Sequence, residues 1–341
     1  MEYRRALGQM AKEDLASPLS GIPPRHPSST PSITPTPTRG NKIRMARKTR
    51  NMPMAAAADE TGAVRKSWSG RVRVALVYPN TYHLGMSNLG LQTVYRQINR
   101  MPQGVCERVF LPDPAEGASA PLSVESRRPL GDFDVVAFSI SFESDYPNVL
   151  KVLHAAGIPL TTRGRSREHP LVLAGGVACM LNPEPVSPFI DCFLIGEAEA
   201  LLEPFFARFD PEADRWGMLK TLAREVTGVY VPMFYEVEYR GDGTLRSFAP
   251  AVDVPPIISR AVAAGLPDPP TASAVLTPHT TFDRTYLIEV GRGCPHGCRF
   301  CGAGYIYRPP RFQEVERLRR AMAAGAALTD KIGLVGAAVS D

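Results

Sequence analysis

From Arg71 onward, apolar residues follow two alternating rhythms. Short, nearly continuous apolar runs at 72–78 (VRVALVY), 105–110 (VCERVF), 134–140 (DVVAFSI), 171–174 (LVLA) and 192–195 (CFLI) predict strands buried on both faces. Between them the spacing lengthens to that of a helix. Leu91, Val94, Tyr95 and Ile98 fall at i, i+3, i+4 and i+7. Tyr146, Val149, Leu150 and Leu153 align in the same way, in a helix that opens near Pro147 and stops at Gly157. A third helix is predicted over 197–208. Apolar strands alternating with helices imply a parallel sheet covered on both faces, so residues 71–208 read as a doubly wound α/β domain.

The pattern then changes. Residues 230–248 read as two strands around the Gly241-Asp242-Gly243 turn, and the Pro-rich stretch 250–278 as a crossing linker, so 209–280 is taken as hairpin and linker. A strand through Tyr286–Val290, a helix over 312–327 and a strand over 332–336 open a second α/β unit within 281–341. Residues 1–70 hold no sustained apolar period. Seven prolines between Pro18 and Pro37 and a basic run over 39–50 mark a disordered leader. Met45, Met52 and Met54 leave the position of the start open.

Charge sharpens this division. Residues 1–70 carry 12 Lys/Arg against 5 Asp/Glu, which leaves 27 against 29 in the remainder of the 341-residue chain. The net charge of +5 therefore belongs to the leader, and the folded part shows no basic excess of the kind that marks nucleic-acid binding. A mean hydropathy of −0.11, the lack of a long apolar stretch and the lack of a secretory signal argue against a membrane span. Together with six cysteines, they predict a reducing, cytoplasmic setting.

Those six cysteines are unevenly placed. Cys106, Cys179 and Cys192 lie among apolar neighbours and read as buried free thiols. Cys294, Cys298 and Cys301 instead share one glycine-rich loop after a strand, in GRGCPHGCRFCGAG at 291–304. Four thiolates are the usual complement of an iron–sulfur cluster, so three on a loop leave one iron open to an exchangeable ligand. Gly291, Gly293, Gly297 and Gly302 let the loop wrap closely around a metal group. A zinc site that adds His296 is the competing metal reading, and unliganded structural cysteines are the plainest one.

The Cys-x3-Cys-x2-Cys loop, with Phe300 just before its last cysteine, resembles the radical S-adenosylmethionine superfamily. That resemblance implies that Cys294, Cys298 and Cys301 hold a [4Fe–4S] cluster whose open iron binds the methionine end of S-adenosylmethionine, with Phe300 near the adenine. One electron from a flavodoxin- or ferredoxin-type reductant then cleaves the sulfonium and yields a 5′-deoxyadenosyl radical. More of the chain resembles the cobalamin-binding type of these proteins, in which a Rossmann-like domain precedes the radical barrel. The pieces are Leu89-Gly90-Leu91-Gln92, Gly175-Gly176, Asn182-Pro183-Glu184-Pro185, Gly196-Glu197-Ala198-Glu199, Ala303-Gly304 and Tyr307-Arg308-Pro309. By that likeness Gly175, Gly176, Gly196, Glu197 and Gly302 are candidate cofactor-binding residues, with cobalamin laid across the strand ends.

Two departures qualify the likeness. The Asp-x-His-x-x-Gly pattern that supplies a lower cobalt ligand fails at His83, where Thr81 and Met86 occupy the flanking positions. His83 is therefore not assigned to cobalt. Only 47 residues follow Cys294, too few for a whole radical barrel, so 281–341 is expected to be an incomplete one that does not turn over alone. The function expected of the intact protein is reductive cleavage of S-adenosylmethionine for radical chemistry, with methyl transfer where cobalamin is bound. A non-catalytic iron–sulfur or ligand-binding module is the alternative.

Overall fold

The computed structural model of the protein describes residues 56–112 and 120–337. Its centre is a six-stranded sheet in the order β2-β1-β3-β4-β5-β6. Strands β1 (Val72–Tyr78), β2 (Gly104–Phe110), β3 (Val135–Ser139), β4 (Leu171–Gly175) and β5 (Cys192–Leu194) run parallel. Strand β6 (Val229–Tyr230) joins the edge antiparallel to β5. The apolar runs become strands because both faces are covered, leaving Val74, Val77, Val135, Val136, Val172 and Phe193 without solvent contact. The strand order reverses between β1 and β3, which opens a crevice at their carboxyl ends.

The helices follow the predicted apolar stripes. Helix Leu89–Arg100 buries Leu91, Tyr95 and Ile98 and is capped by Asn88, whose side chain accepts from Leu91 N–H at 2.8 Å. Helix Tyr146–Ala155 carries Pro147 in its first turn and buries Val149, Val152 and Leu153; Gly157, at φ +68°, turns the chain away. Helix Ala198–Phe206 covers the sheet with Leu201, Leu202, Phe205 and Phe206. A further helix, Arg215–Glu225, lay inside the region read as hairpin and linker. It is capped by Asp214 and buries Met218, Leu219, Leu222 and Ala223.

Two boundaries move. The sheet continues past residue 208, because β6 completes it at Tyr230. Order also begins before Arg71: residues 56–70, assigned to the disordered leader, are held against the sheet by separate polar contacts. Glu60 takes two hydrogen bonds from Arg108, both at 2.7 Å, and one from Tyr82. The backbone of Val64 exchanges hydrogen bonds with the Tyr95 hydroxyl. Lys66 Nζ donates to the carbonyls of Asn99, Met101 and Gly104, at and just past the end of helix Leu89–Arg100. Contacts of this kind leave no apolar period, which is why the sequence pattern did not show them. The remainder of the predicted leader, 1–55, lies outside the described residues.

Beyond the sheet, β7 (Tyr235–Tyr239) and β8 (Leu245–Pro250) form the expected antiparallel hairpin. The Pro-rich linker does not float over the surface. Gly196 bridges to Ala261 and Ala272 to Ile288, while Gln92 Oε1, buried, accepts from Ala274 and Val275 N–H at 2.8 and 3.0 Å. The second unit comprises β9 (Tyr286–Glu289), β10 (Gly291–Arg292), β11 (Arg311–Phe312), helix Val315–Ala326 and β12 (Ile332–Val335). Strands β9 and β12 pair in parallel from Tyr286↔Ile332 to Glu289↔Val335, with the helix crossing between them. Among the described residues no helix is long and apolar enough to cross a membrane.

Candidate cluster and cofactor site

The cysteine loop is rooted at the carboxyl end of β9, where β10 and β11 form a two-residue antiparallel ladder. Gly293, at φ +87°, makes the closure possible, since a Cβ there would lie 2.3 Å from the Tyr307 carbonyl oxygen. Cys301 N–H donates to the Cys298 carbonyl at 3.2 Å, and the short helix Ala303–Ile306 follows. Cys298 is exposed, Cys294 and Cys301 are half-buried, and all three are free thiols. The loop does not bring them together into a ligand cluster: among the described residues no group of three or more His, Cys, Asp or Glu side chains is close enough to hold a metal ion. Their donor chemistry still suits an iron–sulfur cluster, being three uncommitted thiols within reach of solvent on one loop, and metal-thiolate sites commonly form together with the metal.

Phe300 is 93% exposed, so it is not a core aromatic. Gly302 sits against the first domain, where a Cβ would fall 3.0 Å from Leu181 Cδ2 of the short helix Val177–Leu181. The loop is thereby seated over the carboxyl end of β4.

Beneath it, a cavity of about 370 Å³ lies between the strand ends of the first sheet and the root of the cysteine loop. Its walls combine apolar residues of β1, β3 and the helices with Asn88, Gly90, Gly175, Gly176, Gly196 and Glu197. Thr271, Glu289, Arg292 and Gly293 close the side toward the cysteines. Thr271 is buried, and its hydroxyl has no hydrogen-bond partner although it borders this space. Nothing in the sequence pattern singled Thr271 out, because its burial comes from the linker pairing with β9.

The predicted cofactor residues gather here, yet their local reasons differ from those expected. Gly176, at φ +105°, abuts Ile140, whose carbonyl oxygen would sit 2.4 Å from a Cβ. Gly196, at φ +144°, abuts Ala261 in the same way at 2.2 Å. Gly175 lies close to the Leu194 carbonyl, at 3.3 Å. Gly176 and Gly196 are thus required by the chain they cross, whether or not a ligand approaches, while Gly175 is only tightly packed. His83 is exposed, hydrogen-bonds Thr281 Oγ1 at 3.3 Å and does not line the cavity.

Glu197 borders the cavity, but its carboxylate is already engaged. It pairs with Arg311, accepts from Ala263 N–H at 3.1 Å, and lies 3.2 Å from Arg292. Burial pushes its carboxyl up, but the Arg311 hydrogen bonds and the Arg292 charge outweigh this and hold it below the ordinary range. Arg292 also forms paired hydrogen bonds with Glu199, at 2.8 and 3.1 Å, and with Glu289, at 2.8 Å each.

Residues 90–232 match the family model for radical SAM proteins, N-terminal. Over 275 residues the chain is 26% identical to an uncharacterized protein of Methanocaldococcus jannaschii, covering 79% of this chain and 50% of that protein. A solved radical S-adenosylmethionine methyltransferase, TsrM from Kitasatospora setae with tryptophan substrate and a SAM analog (aza-SAM) bound, aligns at a TM-score of 0.41 and 14% identity over 77% of this chain and 47% of that one. The chain spans about half the length of these relatives. The family match opens in helix Leu89–Arg100 and ends just after β6, so it takes in the completed sheet apart from β1. Through that segment the chain is similar to the N-terminal part of radical SAM proteins, and the three-cysteine loop is set over the ends of its strands.

Proposed function

We propose that the protein works as a radical S-adenosylmethionine enzyme in which Cys294, Cys298 and Cys301 hold a [4Fe–4S] cluster. The observation that carries this reading is the position of the loop. Three free thiols, and no other described cysteine, stand at the carboxyl end of β9 with the cavity directly beneath. When bound, the cluster supplies one electron for reductive cleavage of S-adenosylmethionine, received from a flavodoxin- or ferredoxin-type reductant. The chain's own residues do the holding. Gly293 closes the loop, Gly302 seats it on Leu181, and exposed Phe300 offers an aromatic face beside the ligands for the adenine. Anaerobic reconstitution should give about four irons and four sulfides per chain. Replacing any one of the three cysteines by Ala should abolish this, while Cys106→Ala should not. Stoichiometric zinc without sulfide would overturn the assignment.

The cavity supports a second cofactor, cobalamin, bringing methyl transfer within the same reading. The supporting observation is the orphaned Thr271 hydroxyl bordering a largely apolar space at the strand ends. No histidine lines the cavity among the described residues, so cobalt would receive no imidazole from below. Titration with hydroxocobalamin should give a visible spectrum that His83→Ala leaves unchanged. Loss of a nitrogen-ligand signature in that variant would contradict the reading.

A further inference from the structure

Arg292 lies two residues before Cys294 and faces three carboxylates from two parts of the molecule. Glu289 ends β9, the strand just before the β10 strand that carries Arg292, whereas Glu197 and Glu199 open helix Ala198–Phe206 of the first sheet. Arg311, on the partner strand of the β10–β11 ladder, grips Glu197 as well. Both strands at the root of the cysteine loop are therefore tied by guanidinium groups to one helix start across the cavity. The side chains of Arg292, Glu199 and Glu289 are only 12%, 14% and 13% exposed, so water screens these pairs weakly. A planar guanidinium that donates in pairs to two carboxylates fixes direction as well as distance, which an ammonium group does not.

We propose that Arg292 is a positioning residue: its pairing with Glu199 and Glu197 sets where the cysteine loop stands over the cavity, and the Glu199 carboxylate it holds there lowers the potential of a cluster bound in the loop. The second half rests on the radical SAM reading above, and the first does not. Arg292 and Arg311 face these carboxylates, and Arg96 lies near Glu199 as well, so the charges are matched; what Glu199 contributes is one negative charge whose removal shifts the field at the loop. Negative charge near an iron–sulfur cluster disfavours the reduced form.

The test uses the whole chain with Glu199→Gln and Arg292→Lys, the latter keeping the charge without the fork. Hydrogen exchange is measured first on metal-free protein. Amides of 291–302 should exchange about tenfold faster in either variant, as expected for the loss of a charge-assisted pair, while β1 and β3 stay as protected as in the parent. The second measurement is the midpoint potential of the reconstituted cluster, with its EPR signal as a check on ligation. Glu199→Gln should move the potential upward, and Arg292→Lys should leave it near the parent value. Unchanged exchange in the loop overturns the positioning role, and an unchanged potential in Glu199→Gln overturns the electrostatic one. Failure of the parent chain to take up iron overturns the radical SAM reading and the electrostatic role with it, and the exchange data still decide the clamp. If Glu199→Gln does not fold, Arg292→Lys carries the exchange test, and Glu199→Asp, which keeps the charge but shortens the reach, should also loosen the loop.

Discussion

Cys106, Cys179 and Cys192 are sealed in the core, where burial raises all three thiols and pushes Cys179 up to about 12. The loop cysteines meet solvent, Cys298 most of all. Iodoacetamide applied to reduced, metal-free protein should therefore label Cys298 first, then Cys294 and Cys301, and leave the core three untouched until the protein unfolds. Peptide mass spectrometry reads this directly. The division was legible in the sequence, because spacing alone separated a glycine-rich cluster from scattered apolar sites. The pairing of Arg108 was not. This buried guanidinium is kept charged against desolvation by Glu125 and Glu60, which come from segments with no apolar period. Glu60→Ala should cost about 3 kcal/mol in urea denaturation, since it strips a buried cation of one partner.

Among the elements, the strands and longer helices of the first sheet were read nearly to the residue, because burial on both faces writes continuous apolar runs. Helix Arg215–Glu225 was missed although Asp214 caps it and its buried positions fall on one stripe; exposed Trp216, off that stripe, and the charged residues around it blurred the period. The glycines illustrate a different limit. A sequence shows that glycine is present, and only the fold shows what it avoids. Gly196→Ala should destabilise strongly and give poorly folded protein by circular dichroism, because it sets a Cβ against Ala261 at a φ few side chains adopt. A bulky residue at Gly176 would collide with Ile140 in the same way, so it does not test a ligand. The helix start at Glu197 carries a pH signature. Its folded pKa is depressed, so its contribution is complete above the ordinary value of 4.5 and is lost as the pH falls through the folded value. The thermal midpoint of the parent should exceed that of Glu197→Gln by a constant margin from pH 8 to about 5 and then converge with it at lower pH.

At the scale of the molecule, the linker makes two α/β units share one cavity. Gln92, Gly196 and Ala261 fasten it to the sheet, and Thr271 and Ala272 fasten it to β9. A Pro-rich stretch with no period gave no hint of that role, whereas the alternation on either side announced both units. If the cavity receives cobalamin, Val94→Trp should block uptake by filling the space from the helix wall while leaving the unfolding transition nearly in place. Equal uptake by the variant would move the ligand elsewhere.

Strand β2 is the last strand on its side of the sheet, and it is nevertheless buried along its whole length. The Arg108 N–H on that free edge donates to Glu125 Oε2 at 2.8 Å, and the Arg108 carbonyl accepts from Val124 at 2.8 Å. A carboxylate and a piece of irregular chain thus occupy the donor and acceptor that another polypeptide would use to extend the sheet. What holds Arg108 also keeps neighbouring molecules from docking strand to strand. Glu125→Ala should do more than weaken the fold. It should make the protein self-associate with rising concentration, visible in light scattering well below the temperature at which the parent unfolds.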